Sequence, residues 1–537
     1  MSLALALWIV GFSGFIALSY EILWFRAFSF VSGGSPAAFG MLLGLYLAGL
    51  AVGALFSQIF CRDRTAAGGS RELTALAGFV FVANLFGFLV LPMLAWMVSG
   101  PLAAATIELG WGAGLPLVAL SAAMMGAILP LVSHFGIAPD HLAGMRLSYL
   151  YLANILGSTA GSLVTGFVMM EMWPTPTIAL ILALLGLALS AGLLLAGLRR
   201  GRIATAAWLT IAVTALLFVV VTSPLFDRLY EKLLYKERWK QGQRFAQLIE
   251  NRNGIIAVSP SGIVFGGGVY DGVVSTDLLS DRNNIVRAFG VVAIHPAPRE
   301  ILEIGLSTGA WAQVLSHLPG LEKLTIIEIN PGYLKIIPQF PQVASFLRNP
   351  KVEVVIDDGR RWLARHPERK FDVIVSNTTF HWRAHATNLL SKEFLELVRT
   401  RLKPGGVFHF NPTGSNDVMK TAFTVFPHGL RFINFATVSD SPIVVDRDRW
   451  RETLSSLRID ERSVLDLRQD SDRRRFDELM SLATSLERTP VAYGLEARES
   501  VLANLPPDAR LITDNNMASE WRFERRKVFH VVQWPVD

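Results

Sequence analysis

A short segment in the second half of the chain carries an unusual set of polar side chains. Residues 375–385 read VSNTTFHWRAH and follow the apolar run FDVI, which is typical of a buried strand. Loops that follow strand ends in open α/β sheets are where ligands bind. His381 and His385 could act as general acid or base near neutral pH, and Arg383 suits an anionic substrate group. We therefore predict a catalytic or substrate-binding role for at least one of these three side chains, with Asn377 in the same loop; the alternative is a mobile lid with ordinary surface residues.

Acidic residues and glycines stand at the ends of three earlier strand-like segments. They are Glu303, Gly305, Gly309, Glu328, Asp357 and Asp358. Glycines at the first turn let a ligand approach the backbone, and the helix N-terminus that follows favours an anion. The acid of the second segment comes about 20 residues later, where it could hold ribose hydroxyls. The pattern predicts a nucleoside-binding crevice; the alternative is that these acids are helix N-caps and surface charge.

Composition narrows the possible functions. The chain has one cysteine, Cys61, which permits no intramolecular disulfide and no cysteine-based metal site. The loop histidines are four residues apart, and no further ligand stands at metal-binding spacing, so we predict no metal. The net charge of +6 is a small surplus along the chain and not a basic patch. This pattern argues against nucleic acid as a partner.

The segments that would position these residues alternate between strand and helix patterns. The apolar runs ILEIG, LTIIEIN, VEVVIDDG, FDVIVSN and GGVFHFNP are separated by helix-like stretches. This alternation predicts an α/β, doubly wound, Rossmann-like parallel sheet. A small N-terminal β unit is predicted within 245–275. We expect three parts: a transmembrane helical domain at 1–222, a linker and β-hairpin unit at 223–275, and an α/β domain at 276–537.

The first 222 residues differ in composition from the rest. They hold eight Arg, no Lys and six acidic residues, and the other 42 Lys and Arg and 38 acidic residues follow them. Seven apolar stretches are long enough to span a bilayer, which needs about 20 residues. They are 3–24, 36–60, 74–98, 112–135, 148–170, 175–198 and 203–222. We predict a membrane α-helical bundle of about seven transmembrane helices.

Charges within and beside the apolar part raise two questions. Glu21 lies in SYEILWFR near the end of the first span, and a carboxyl inside a membrane segment is a functional candidate. The alternative is a helix-end residue at the interface, beside Arg26. Short-loop charges place the N-terminus in the cytoplasm and the soluble domain outside. The basic segment 227–240 offsets that bias, so the sequence leaves the side of the soluble domain open.

Several segments resemble the spermidine synthase (polyamine aminopropyltransferase) family, which has a class I methyltransferase-like fold. They are PGYLKIIPQFPQVASFLRNPKVEVVIDDGRRWL, LLSKEFLELVRTRLKPGGVF and the late segment LITDNNMASEW. GFSGFIALSYEILWFR and YLYLANILGSTAGSLVTGF resemble bacterial membrane proteins that fuse a transporter-like bundle to such a domain. The resemblance over roughly 245–420 implies S-adenosylmethionine or decarboxylated S-adenosylmethionine as the donor. Glu328, Asp357 and Asp358 match the family's residues for that donor.

The chain departs from the family where the chemistry is done. Thr308 stands in the glycine turn where the family has an aspartate. Asn377 and Phe380 occupy the positions of the two aspartates that bind and deprotonate the attacking amine. An amide is a poor proton acceptor and a phenyl ring is none. These replacements argue against standard polyamine synthesis.

The resemblance also implies where an acceptor would bind. Tyr270 lies near the place of the family's substrate glutamine, which is missing here, and Asp514 and Asn515 belong to the late motif. These three residues are the candidates for substrate binding.

Three functions remain open on the sequence. The first is transfer from an S-adenosylmethionine-type donor to a membrane or envelope acceptor, with His381 as the base. The second is an extracytoplasmic enzyme that reuses the fold on a lipid or glycan without the adenosyl donor. The third is a non-catalytic pseudo-enzyme that senses a ligand or docks a partner. The expected setting is the bacterial inner membrane, with the lipid bilayer and a lipid, glycan or small-molecule acceptor as partners; homodimerisation is left open.

Overall fold

The chain folds into two compact units. The computed structural model describes residues 1–61, 70–103, 109–197, 202–377, 380–482 and 494–521. Among these, the first unit holds 1–245 and 249–255, and the second holds 246–248 and 256–521.

Helices make up the first unit. The longer ones are Leu3–Val31, Pro36–Ser57, Ser70–Ser99, Leu115–Gly126, Ile128–Gly136, Ala143–Leu163, Thr175–Gly197 and Arg202–Leu225. A π-helical segment, Val164–Met169, and a short helix, Met170–Met172, extend the sixth of these. The short helix Leu229–Tyr235 follows the last one.

Seven helical stretches among the described residues are long and apolar enough to cross a membrane. Many of their large apolar side chains are exposed, including Leu55 at 65%, Leu156 at 62% and Leu216 at 64%. Such an apolar surface would be unfavourable in water and is what contact with lipid requires. The prediction of about seven apolar spans is confirmed.

Glycines mark the closest contacts between these helices. A Cβ atom on Gly53 would lie 1.9 Å from the carbonyl oxygen of Ala123, and one on Gly157 would lie 1.9 Å from that of Gly11. The backbones therefore touch where helix Pro36–Ser57 meets Leu115–Gly126, and where Leu3–Val31 meets Ala143–Leu163. Small residues at such spacing allow this approach in membrane bundles.

The first helix is longer than the sequence predicted. It ends at Val31, so Glu21 lies within it and is not a helix-end residue. Arg26 is a buried helical residue whose guanidinium lies 3.5 Å from the carboxylate of Glu250. Glu250 also accepts a hydrogen bond from the hydroxyl of Thr175 at 2.6 Å. This pairing lets a charged residue stay inside the helix, because a buried cation needs a partner.

The second unit is built on a mixed sheet of eight strands. The strands are β5 (Glu300–Ile304), β6 (Lys323–Glu328), β7 (Val352–Ile356), β8 (Phe371–Ser376), β9 (Leu402–Phe410), β10 (His428–Phe432), β11 (Phe435–Ser439) and β14 (Leu495–Ala497), numbered along the chain. Their spatial order in the sheet is β14-β10-β11-β9-β8-β5-β6-β7. The five neighbouring strands β7, β6, β5, β8 and β9 run parallel, as predicted. Strands β11, β10 and β14 add an antiparallel edge.

The helices of this unit are short and connect the strands. They are Val286–Phe289, Val291–Ile294, Ala310–Leu315, Tyr333–Ile336, Gly359–Arg365, Lys392–Arg399, Asn416–Val425, Arg447–Ser456, Asp470–Leu482, Arg498–Ala503 and Ala518–Trp521. Leu302 and Ile304 of β5 pack into a core with Trp362 and Phe408. Because side chains alternate along a strand, Glu303 lies on the opposite face of the sheet.

Smaller strands complete the fold. They are β1 (Gln247–Asn251), β2 (Gly254–Val258), β3 (Ile263–Gly266), β4 (Val269–Val273), β12 (Arg458–Ile459) and β13 (Arg462–Ser463). β3 pairs antiparallel with β2 and with β4. This antiparallel arrangement matches the small β unit expected before the α/β sheet, and β4 carries Tyr270 and Asp271.

The strand order changes direction between β5 and β8. From β5 the chain continues through β6 to β7 on one side, whereas β8 and β9 lie on the other. Ile304 and Ser376, the last residues of β5 and β8, are neighbours in the parallel register. The turn after β5 and the loop after β8 therefore begin side by side, at the point where open α/β sheets bind ligands.

Candidate active site

The turn after β5 is held in an unusual backbone conformation. Gly305 and Gly309 have φ angles of +90° and +76°, which favour glycine. A Cβ atom on Gly305 would meet nothing within 4 Å, so this glycine leaves open space above the strand end. A Cβ atom on Gly309 would meet Phe346 at 3.0 Å. Gly305 therefore fits the predicted approach of a ligand, whereas Gly309 serves packing.

Two buried glutamates lie under this turn. Glu328 accepts hydrogen bonds from the backbone N–H groups of Leu306 and Asn330, both at 2.7 Å. Burial raises the pKa of Glu328 to about 7, although these N–H groups lower it. Burial, together with the charge of Glu328, raises the pKa of Glu303 well above its usual value. Among the described residues, the Oε2 atom of Glu303 is buried and has no hydrogen-bond partner.

The aspartates after β7 have structural partners. Asp358 is the N-cap of helix Gly359–Arg365 and accepts from the Arg361 N–H at 2.7 Å. Asp357 forms an ion pair with the Arg361 guanidinium. Partial burial raises the pKa of Asp357, but hydrogen bonds from Arg361 and from the Asp358 N–H outweigh it and lower the pKa below its usual value. The N-cap alternative thus applies to Asp358, and Asp357 is a partly exposed carboxylate at the crevice.

Apolar side chains stand beside these acids. Ile329, directly after Glu328, is 59% exposed, and Ile356, the last residue of β7, is 44% exposed. Glu328 and Ile356 are register neighbours in the parallel sheet. An exposed apolar surface next to hydrogen-bonding carboxylates suits a flat heteroaromatic ring joined to a polar sugar.

The loop after β8 is fixed by hydrogen bonds to the loop after β9. Asn411 donates from its Nδ2 atom to the Oδ1 atom of Asn377 at 3.0 Å. The His381 N–H donates to the Oγ1 atom of Thr413 at 2.9 Å, and its Nδ1 atom lies 3.0 Å from the same oxygen. Phe380 stacks against Trp382, with ring centroids 5.6 Å apart. Within this predicted loop, residues 378–379 lie outside the described residues.

Arg383 joins a partly buried group with Asp271 and Tyr333. The Tyr333 hydroxyl donates to the Oδ2 atom of Asp271 at 2.5 Å. Burial raises the pKa of Asp271, while Tyr333 and the positive charge of Arg383 lower it. Burial lowers the pKa of Arg383, while Asp271 and Tyr333 raise it. The Arg383 guanidinium lies against Gly267, where a Cβ atom would be 2.6 Å from Nη2. Arg383 therefore compensates the charge of Asp271.

His385 lies at the end of the same loop. Its φ angle is +66°, and the residue is exposed. Its N–H donates to the carboxylate of Glu520 at 3.1 Å. The same carboxylate accepts from the N–H of Thr387 at 2.8 Å and from its hydroxyl at 2.6 Å. Glu520 thus anchors the end of the loop, and the structure does not bring His385 together with the other candidates.

A cavity of about 360 Å³ opens between β4, the segment 282–287 and the loops after β8 and β9. Its lining residues are Tyr270, Asp271, Arg282, Asn283, Asn284, Arg287, Asn377, Phe380, Asn411, Thr413, Gly414 and Asn434. Two of the predicted site residues, Tyr270 and Asn377, thus line one cavity, and His381 contacts its wall through Thr413. The Tyr270 hydroxyl donates to Asn283 at 2.9 Å, and burial raises its pKa to about 12.

The cavity depends on residues that the sequence reasoning missed. Asp271 is adjacent to Tyr270 in the motif YDG, which was the available signal. Arg287 lies in a short helix with no motif of its own and is only 3% exposed. Asn411 and Asn434 follow strands β9 and β10, and only the fold brings them to the same wall.

The remaining candidates lie elsewhere. Asp514 forms a bidentate ion pair with Arg360 at 2.6 and 2.8 Å and accepts from Ser391 at 2.7 Å. The Arg360 hydrogen bond lowers the pKa of Asp514. Asn515 is exposed. Glu21 is a half-buried residue of the first unit. Among the described residues, no group of three or more His, Cys, Asp or Glu side chains could hold a metal.

The sheet and its turn define a class of domain. Five parallel strands, an antiparallel edge and a glycine turn above buried acids are the features of a class I methyltransferase-like domain. Within that class, the spermine/spermidine synthase domain family matches residues 288–420. The predicted resemblance to the spermidine synthase family is therefore confirmed for the second unit.

Similarity to individual proteins covers only part of the chain. The polyamine aminopropyltransferase of Streptococcus pneumoniae is 33% identical over 117 residues, which cover 22% of this chain and 40% of that protein. The polyamine aminopropyltransferase of Bacillus subtilis is 27% identical over 182 residues, or 32% of this chain and 63% of that protein. The crystal structure of spermidine synthase from Thermotoga maritima matches with 15% identity and a TM-score of 0.33, covering 44% of this chain and 88% of that one. The chain thus spans about 40 to 63% of these curated relatives.

Proposed function

We propose that this protein is a membrane-anchored transferase that uses an S-adenosylmethionine-type donor on an acceptor other than a polyamine. One contact supports this most strongly. The Ser307 hydroxyl, in the turn after β5, donates to the backbone carbonyl of Asp271 at 2.7 Å. Because Asp271 also lines the cavity, the glycine turn and the cavity are adjacent, as a donor site and an acceptor site must be for direct transfer.

The residues at the turn fit an adenosyl donor. Glu328 and Asp357 are carboxylates at the ends of neighbouring strands, suited to ribose hydroxyls and to an adenine amino group. Ile329 and Ile356 offer apolar surface for the ring. Gly305 leaves room for the chain that carries the sulfonium. A sulfonium donor supplies an electrophilic carbon and leaves as a neutral thioether.

The cavity residues support an acceptor that is not a polyamine. Among the described lining residues, Asp271 is the only carboxylate, and Arg383 already compensates its charge. A polyamine carries several positive charges and would need carboxylates to replace its hydration. Asn377 and Phe380 stand where such acids would be.

Asp271 is positioned to accept the proton that the acceptor loses during transfer. The acceptor's nucleophilic atom attacks the carbon bonded to sulfur, the carbon–sulfur bond breaks, and the acceptor's proton passes to a base. Asp271 combines a position on the cavity wall with a burial-raised pKa, both of which favour general-base action. His381, the base expected from the sequence, remains a candidate and contacts the wall at Thr413.

Calorimetry on the full chain in detergent tests the donor. We expect S-adenosylmethionine or its decarboxylated form to bind the wild type and to bind Glu328→Gln about tenfold or more weakly, since a carboxylate that accepts hydroxyl hydrogen bonds is worth roughly 1.5–3 kcal/mol. Glu322→Gln is the matched control, because Glu322 is exposed and pairs only with Arg299 among the described residues. Binding of neither donor, or equal binding by both variants, would refute the proposal.

A further inference from the structure

Arg287 is a buried cation in the cavity wall. It is 3% exposed, and its guanidinium carbon lies 4.2 Å from the centre of the Phe435 ring. Its Nε donates to the Asn284 carbonyl at 2.7 Å, its Nη2 to the Asn283 carbonyl at 2.6 Å, and its Nη1 to Asn434 Oδ1 at 3.0 Å. These contacts hold the guanidinium rigidly in one plane.

All three of these acceptors are neutral. Among the described residues, the guanidinium of Arg287 has hydrogen bonds to neutral oxygens and no ion pair with a carboxylate. The nearest acid by charge interaction, Asp281, accepts instead from the N–H groups of Ile285 and Val286 at 2.6 and 3.1 Å. A guanidinium carries five N–H donors, so donors remain on Nη1 and Nη2. A buried charge of this kind needs a counter-charge, and the cavity is where one can enter.

The other polar residues that line the described cavity are cationic or neutral, apart from one carboxylate. Arg282 adds a second positive charge, and Asn377, Asn411 and Asn434 add amide groups. The one carboxylate, Asp271, belongs to the group with Arg383 and Tyr333. The described lining therefore has a positive charge on the Arg287 side and a proton acceptor on the Asp271 side.

We propose that the cavity binds its acceptor through an anionic group, a phosphate or a carboxylate, held by the Arg287 guanidinium. The nucleophilic amine or hydroxyl of the same molecule then points toward Asp271. Planar guanidinium groups bind such oxyanions through two parallel hydrogen bonds. The role of this molecule as acceptor rests on the proposed transferase function, whereas the anion site itself does not.

Asn434→Asp is the decisive variant. It places a carboxylate of nearly the same shape as the amide at 3.0 Å from Nη1 of Arg287. The carboxylate neutralises the charge of Arg287, and no side chain is removed from the cavity wall. Asn388→Asp is the matched control, because Asn388 is exposed and bonds to Arg360 and His385 through its backbone carbonyl and N–H, which the substitution keeps. Thermal unfolding of both variants at or above the wild-type temperature establishes that they fold.

The probes are inorganic phosphate, O-phosphoethanolamine and putrescine, titrated into the full chain in detergent. We expect phosphate and phosphoethanolamine to bind the wild type and Asn388→Asp alike, and Asn434→Asp at least tenfold more weakly. Putrescine should bind the wild type more weakly than phosphoethanolamine does. Competition by a short-chain phosphatidylethanolamine would identify a lipid as the source of the phosphate, and its absence a soluble acceptor.

Three results would overturn the inference. They are no binding of either phosphate probe, equal binding by Asn434→Asp and the wild type, and preference for putrescine. S-adenosylmethionine binding is measured on the same preparations. Anion binding without donor binding would contradict the transferase function alone, and donor binding without anion binding would contradict the anion site alone.

Discussion

Asp271 accepts a hydrogen bond from Tyr333 on one carboxylate oxygen and lies against the charge of Arg383. An amide at this position would keep the shape and lose the proton acceptor. Asp271→Asn should therefore lower kcat for the transferred group by about 10²–10⁴-fold, the usual contribution of a general base. Donor affinity measured by calorimetry should stay within about threefold, since the base does not hold the donor.

Asp448→Asn is the control for this variant, because Asp448 is 91% exposed and pairs only with Arg451 among the described residues. If Asp271→Asn retained full kcat while His381→Ala lost it, the base would be His381, as the sequence suggested.

Glu328 makes donor binding depend on pH. Burial raises its pKa to about 7, and only the ionised carboxylate keeps all its lone pairs for a ribose hydroxyl. Its ionised fraction rises as pH increases, so binding should be about tenfold stronger at pH 8 than at pH 6. 5′-Methylthioadenosine is the probe, because it has no group that titrates in this range. Glu328→Gln should abolish the pH dependence of binding, and Glu322→Gln should keep it. If binding to the wild type did not change with pH, Glu328 would not hold the donor as an ionised carboxylate.

At the scale of elements, the helices of the first unit depend on glycine. A Cβ atom on Gly157 would lie 1.9 Å from the Gly11 carbonyl oxygen, and backbone cannot move aside cheaply. Gly157→Ala should therefore destabilise the unit by roughly 1–3 kcal/mol, the usual effect of overpacking. The measurement is thermal unfolding in detergent.

Gly144→Ala, in the same helix, is the control because a Cβ atom there meets nothing within 4 Å. It should be neutral or slightly stabilising, since alanine is the better helix former. Equal effects of the two variants would mean that the close approach does not limit stability.

In the second unit, contacts with residues later in the chain set the position of the loop after β8. The loop after β8 is held at one side by Thr413 and at the other by Glu520. These two anchoring residues lie 28 or more positions after the loop in the sequence. The residue spacing within VSNTTFHWRAH therefore could not show which of its side chains would lie at the site. His381 and Arg383 remain at the site, and His385 turns outward at its positive φ angle.

At the scale of the whole molecule, the number of spans determines topology. If all seven apolar helices of the described residues cross a membrane, the N-terminus and the residues after 225 lie on opposite sides of it. Arg26 does not belong in the loop-charge balance, because it is buried in a helix and paired with Glu250. Without it, the short-loop charges favour an N-terminus in the cytoplasm, and the segment 227–240 favours the reverse.

Paired reporter fusions, one before residue 1 and one after residue 537, measure this. We expect them to report opposite sides, and the C-terminal one to be active in the cytoplasm, where an adenosyl donor is available. Activity of the C-terminal reporter only outside the membrane would exclude the adenosyl-donor function. Activity of both on one side would show an even number of spans.

The sequence by itself determined the apolar bundle, the alternating α/β sheet and the family resemblance, because each depends on local periodicity or on contiguous motifs. It also located Glu328 and Gly305, since strand ends can be read from apolar runs. Only the tertiary structure decided that Asp514 is paired with Arg360, and that Asp271 and Arg287 line one cavity. Those facts depend on contacts between residues distant in the chain, and on burial, which a spacing pattern does not encode.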